Sequence, residues 1–267
     1  MKVSSIGLPS ASHKRLSRFR AANADLRWNG LYRIGGVAAL ITVLVALLDI
    51  IVSLLSGERD VEPGRLSATD WFARFQESRF LALRDLGLWN IANTILSIPV
   101  YLALYGAHWR ERSRPFAALA AILSFVGAAV YTSNNKALPM LALSDRYAAA
   151  STDAERARLA ATGDAMLAQG EDFTPGSFSG FFLAEVAGIV MGIAMLRSWI
   201  FGRFNAWAGI SGSGLLLAFT AWVTFVPAAF RRAMVLAMGG GLLSMAWHIL
   251  TARRLFRLGS GDRRVKR

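Results

Sequence analysis

IGGVAALITVLVALLDIIVSLL, residues 34–55, decides the fold. Its 22 residues carry a single charge, Asp49, and a helix needs only ~20 predominantly apolar residues to cross a bilayer. A second stretch, NAWAGISGSGLLLAFTAWVTFV at 205–226, carries no charge at all. Working outward from these two, four more apolar runs stand at 88–107, 116–134, 178–196 and 233–250. The third is diluted by Ala and Gly, and the sixth carries the run Gly239 to Gly241, which loosens a helix. The predicted fold is all-α: a polytopic bundle of six spans within a transmembrane domain at 29–255, between basic tails at 1–28 and 256–267.

Composition narrows the function classes. The chain has 267 residues, is 54% hydrophobic and still has a net charge of +13. A basic soluble protein that binds nucleic acid would not supply six nearly uncharged runs, so the basic surplus calls for a membrane explanation and no nucleic-acid partner is expected. There is no cysteine, which excludes disulfides, thiolate metal sites and thiol nucleophiles. His13, His108 and His248 lack metal-ligand spacing. No catalytic, cofactor or metal motif is present, so none of these residue sets is predicted and an enzymatic role is not indicated.

The charges orient the chain. With the N-terminus in the cytoplasm, 19 of the 30 Lys and Arg fall inside and 11 outside. Of the 17 acids, three fall inside, twelve outside, and Asp49 and Glu185 within spans. Cytoplasmic connectors carry the basic excess, so both termini are predicted inside. The N-terminal tail has no apolar core of a secretory signal; it reads as a disordered cytoplasmic tail drawn to anionic lipid, although its Arg- and Ser-rich composition also fits an organellar transit peptide.

The two long outer connectors carry helical signals. In residues 68–86, Trp71, Phe72, Phe75, Ala82, Leu83 and Leu86 share one face, with Thr69 as the expected N-cap and Arg79 interrupting the stripe. Such a helix lies either in the outer interface or on top of the bundle. In the second connector, Thr152 with Glu155 three residues on reads as a capping box that opens an Ala-rich helix.

The run LALSDRYAAASTDAERARLAATGDAMLA (141–168) resembles the large extracytoplasmic loop of a bacterial multi-span membrane family classed as a domain of unknown function. GIAMLRSWIFGRFNAWAGISG (192–212) is similar to that family's next recurrent segment. The resemblance covers roughly residues 30 to 255. It implies the six-span order and a bacterial inner-membrane location, and it brings no catalytic residues.

Ionisable groups inside a span are costly and usually face a cavity or a partner helix. Asp49 and Glu185 lie about 9–10 Å below the outer ends of their spans. Asn90 and Asn93 share a face in the outer part of the second span, Asn134 and Asn135 close the third, and Thr224 stands near the same level on the fifth. These residues define a candidate polar pocket opening outward; alternatively they satisfy one another as interhelical hydrogen bonds, worth about 0.6 kcal/mol each. Arg231 and Arg232, exceptions to the basic-inside pattern, sit at the same rim as candidate anion contacts, or simply snorkel. Pro99 is expected to kink the second span. His108 and Trp109 read as an interfacial anchor. Ala184, Gly188 and Gly192, and likewise Ala120, Ser124 and Ala128, mark close helix contacts within one bundle or in a homo-oligomer. The expected partners are therefore membrane lipids, a small-molecule ligand and, through the small-residue faces, a second copy. Three functions compete: binding or moving a small molecule, proton or lipid headgroup through the pocket; a non-catalytic partner or sensor subunit; and a lipid-acting enzyme, which lacks a second catalytic component.

Overall fold

The computed structural model describes residues 11–56, 64–226 and 229–260, with side chains from residue 28 onward. The regular elements among them are all helical: α1 (Ala11–Ser56), α2 (Ala68–Glu77), α3 (Arg79–Leu83), a π-helical turn at Arg84–Leu88, α4 (Trp89–Ala107), α5 (Arg114–Asn134), α6 (Ala137–Ala149), α7 (Asp153–Gly170), α8 (Phe178–Leu196), α9 (Arg203–Phe225) and α10 (Phe230–Gly259). Six of these helices or helical runs are long and apolar enough to cross a membrane. Their flanks carry large apolar side chains such as Ile34, Ile122, Val235 and Leu242, each more than half exposed. A surface of that kind is stable against lipid and not against water. The chain is a multi-pass membrane protein.

Several boundaries move relative to the sequence reading. Helix α1 starts at Ala11, so most of the tail expected to be disordered continues the first span as helix. The sixth span, expected at 233–250, lies within the 30 residues of α10, whose last turns carry Arg253, Arg254 and Arg257. Helix α4 runs through Pro99 as one element.

The spanning helices pack as a closed ring in the order α1, α4, α5, α8, α9, α10 and back to α1. One end of the ring is filled by a core that includes Val100, Leu104, Met191, Met195, Trp247 and Leu255. The small-residue stripes serve this packing: Gly188 and Gly192 meet Ser213 and Ile210 of α9, and Ser124 pairs with Ser97 of α4 at 3.2 Å. Those faces are occupied by the chain's own helices.

Helices α2, α3, α6 and α7 form a cap over the other end, with a core of their own around Trp71, Phe72, Phe75, Met140, Leu143 and Leu159. Of the two placements open for the 68–86 segment, packing within the cap is the one observed: Trp71, Phe72 and Phe75 are 1–2% exposed. Burial of such a side chain contributes about 1.5–3 kcal/mol. The N-cap of α2 is Ser67 rather than Thr69. Ser67 has Asp70 three residues on, and the two exchange backbone hydrogen bonds (Asp70 N to Ser67 Oγ, 3.3 Å; Ser67 N to Asp70 Oδ2, 2.9 Å). Thr69 has Phe72 at that position and cannot close the box. The segment breaks at Ser78, which ends α2 and caps α3. Arg79 thereby leaves the apolar stripe and pairs with Asp145 at 2.8 Å. Thr152 caps α7, accepting from Glu155 N at 3.2 Å.

On the far side of the ring, Trp28, Tyr105 and Trp109 form an aromatic cluster with Arg114 3.7 Å over the Trp109 ring. His108 does not share this interfacial role. It is fully buried, its Nδ1 2.8 Å from Leu104 O and its Nε2 3.2 Å from Ser198 Oγ, stacked on Phe201.

The charge distribution predicts that the cap faces away from the cytoplasm. Single cysteines placed at the exposed Ser67 and Ala154 of the cap should react in intact cells with an impermeant maleimide. One at the exposed Arg112 on the far side should react only after permeabilisation. The opposite labelling pattern would invert the orientation.

Candidate functional site

Between the cap and the open end of the ring lies a cavity of about 360 Å³. Its walls come from α1 (Asp49, Ile50, Ser53), the π turn, the start of α4 (Trp89, Asn90), the 171–173 segment, Phe219 of α9, and Phe230, Met234 and Ala237 of α10.

The most fully hydrogen-bonded group of these walls is the Asp172 carboxylate, which is 6% exposed. Asn90 Nδ2 donates to one of its oxygens at 2.8 Å; Tyr131 OH (2.7 Å) and Asn135 Nδ2 (3.3 Å) donate to the other. Asn135 also donates to Leu86 O at 2.9 Å and accepts from Ala137 N at 2.9 Å, the first residue of α6. One side chain therefore terminates α5, starts α6 and ties the π turn to the carboxylate.

Backbone conformation is distorted around this point. Gly87, inside the π turn, has φ 100°. A Cβ there would collide with Asp172 Oδ2 and stand 2.7 Å from both Asn135 Nδ2 and Tyr131 OH. Glycine is required for both reasons: conformation and space. Phe173 has φ 59°, a costly conformation for a bulky side chain. It places the ring in the cavity wall, stacked on Phe181 (4.9 Å) and edge-on to Phe219 (5.2 Å), while Thr224 donates to its carbonyl at 3.2 Å. A π turn, a positive-φ glycine and a positive-φ phenylalanine converge on one cavity, and such strain collects at functional sites.

Charges run along the upper wall as a chain of ion pairs. Arg74 Nη1 reaches Asp85 at 3.0 Å, Arg84 Nη1 reaches the other Asp85 oxygen at 2.9 Å, and Arg84 Nε reaches Asp49 at 2.8 Å. Glu171, 6% exposed, ends α7 beside Asp172 and accepts from the Gly64 backbone. Burial pushes the Glu171 carboxyl up to about 7; the Gly64 hydrogen bond opposes this and the neighbouring Asp172 charge adds to it. Burial likewise raises Asp172 to about 6, against the pull of its three donors.

The residues expected from sequence are distributed unevenly over this site. Asp49 and Asn90 line the cavity. Asn135 and Thr224 hold its wall from behind. Asn93 lies one turn below Asn90, its side-chain carbonyl meeting no donor among the described residues. Asn134 donates to Gly176 O at 3.2 Å. Glu185 is not in the cavity wall; it hydrogen-bonds Ser213 of α9. Arg231 and Arg232 are exposed at the start of α10 and do not line the cavity. The cation that meets Asp49 is Arg84 instead. Sequence reasoning missed Arg84, Asp85, Gly87, Tyr131, Glu171, Asp172 and Phe173. The available signal was the adjacent acid pair in EDF, followed by Pro175 and Gly176 at the mouth of a span. Among the described residues no group of three His, Asp or Glu is arranged to hold a metal ion.

Fold and site together define a multi-pass membrane protein with a capped, acid-lined cavity at one membrane face. No family model, no curated protein and no solved structure matches the chain.

Two outcomes follow from this geometry. Gly87→Ala should destabilise by about 2 kcal/mol or more in thermal or denaturant unfolding. Gly214→Ala, with open space around the added methyl, should be neutral or slightly stabilising. The second outcome concerns pH. Glu171 and Asp172 titrate near 4 when unfolded and at about 7 and about 6 when folded. Between those values the folded state holds more protons, so their contribution is fully favourable below about pH 4 and is lost as pH rises through about 7. The melting temperature should therefore fall between about pH 4 and pH 7, and Glu171→Gln should flatten that slope.

Proposed function

We propose that this protein binds a small molecule in the cavity beneath its cap, admitted from the extracytoplasmic side of a bacterial cytoplasmic membrane. The observation that carries the reading is the cavity itself: about 360 Å³, within the ordinary range for small-ligand sites, roofed by buried carboxylates and floored by apolar side chains. Its distorted backbone at Gly87 and Phe173 borders the same cavity and supports the same reading. Orientation and location draw on the charge distribution and on the resemblance of the 141–168 and 192–212 segments.

Binding fits better than passage across the membrane. Beneath the cavity the ring is filled by Val100, Leu104, Met191, Met195 and Leu255, which are all buried. Glu185, the acid deeper in the bundle, stands apart from the cavity against Ser213. The reading therefore assigns Glu185 to helix packing and Asp49, Asn90, Glu171 and Asp172 to the site.

Ala237→Trp places an indole in the cavity from α10. Native mass spectrometry of protein released from nanodiscs should find a small molecule retained by the parent and by Glu185→Gln, and lost from Ala237→Trp. Identical spectra for the parent and Ala237→Trp would overturn the reading.

A further inference from the structure

Resting on that ligand-binding reading, we infer that the ligand is an organic cation, an amine with an apolar body. Two independent features of the cavity lead there.

The first is charge. The wall carries four carboxylates, Asp49, Asp85, Glu171 and Asp172, against one guanidinium, Arg84. Asp85 is held by both Arg74 and Arg84, and Asp49 by Arg84. Glu171 and Asp172 have no such partner among the described residues. Their hydrogen bonds come from neutral groups: the Gly64 backbone for Glu171, and Asn90, Tyr131 and Asn135 for Asp172. Neutral donors orient a carboxylate without cancelling its charge. In a partly enclosed cavity, that leaves a negative potential which a cation relieves and an anion worsens.

The second is the aromatic wall. Trp89, Phe173, Phe219 and Phe230 line the cavity together with the acids. Aromatic faces attract ammonium groups through the ring quadrupole, and acid with aromatic is the combination that recognises organic cations.

Depth sets the orientation. Ala237 lies seven residues into α10, about 10 Å below its start. Ile50, Phe219, Met234 and Ala237 thus receive the apolar body, while the ammonium group sits at Glu171 and Asp172.

The test uses the full-length protein in nanodiscs and three probes of nearly equal size: 2-phenoxyethylammonium, neutral 2-phenoxyethanol and anionic phenoxyacetate. Titration calorimetry should show saturable binding of the ammonium probe, at least tenfold tighter than the neutral probe, with none of the anion. Glu171→Gln, which removes a buried charge and should fold at least as well as the parent, should weaken the ammonium probe tenfold or more. Equal or tighter binding of the neutral or anionic probe would overturn the cation assignment and leave the cavity reading standing. Undiminished binding of the ammonium probe to Ala237→Trp would overturn the cavity reading itself. Binding of none of the three, or ammonium binding unchanged in Glu171→Gln, would overturn the inference.

Discussion

The structure turns on one buried carboxylate. Asp172 lies in the short segment between the last cap helix and the fourth spanning helix, almost wholly out of water. An acid so placed is tolerated only if its oxygens are satisfied. The donors come from two different spans, Asn90 of α4 and Tyr131 of α5, and from Asn135 at the end of α5. Each bond ties the cap segment to the bundle. Satisfying Asp172 therefore sets how the two layers meet, and the π turn with Gly87 is the backbone solution that lets the donors converge.

From that joint the architecture follows in both directions. Toward the far side, small residues let helices approach closely, and the ring closes on a packed core. Toward the cap, the helices cannot close on one another because the polar joint lies between them, and the space left over is the cavity. The ion-pair chain from Arg74 through Asp85 and Arg84 to Asp49 staples the rim of that space to α1. Partly exposed pairs of this kind contribute little each, so their effect is to hold geometry more than to stabilise.

The net charge of +13 consequently has two meanings. Most of it falls in the tails and the far-side connectors, where it orients the chain in the membrane. At the cavity the sign is reversed. Four acids line it with one arginine, and among the described residues the two acids nearest the joint meet only neutral donors. A protein basic as a whole thus presents an acidic site.

The sequence by itself determined the six spans, the polar level at which to look, and the helical character of both long connectors. These follow from length and periodicity, which are local: an uncharged run of about 20 residues has few alternatives to a spanning helix, and Thr152 with Glu155 caps a helix wherever it lies. It also placed Asp49 and Asn90 in a polar cluster, because an ionisable or amide group in a span must find a partner. Which partner was decided only by tertiary structure. Arg84 reads as part of the polar face of the helix expected at 68–86, Asp172 as ordinary solvated loop, and Tyr131 as one more apolar-span aromatic. Nothing local tells that Gly87 must leave room for a side chain 85 positions further on. The meeting of Asp172 with Asn90 and Tyr131 spans 82 and 41 residues of chain. It depends on the ring order of the helices, and ring order is set by how the faces pack, which no single stretch of sequence contains.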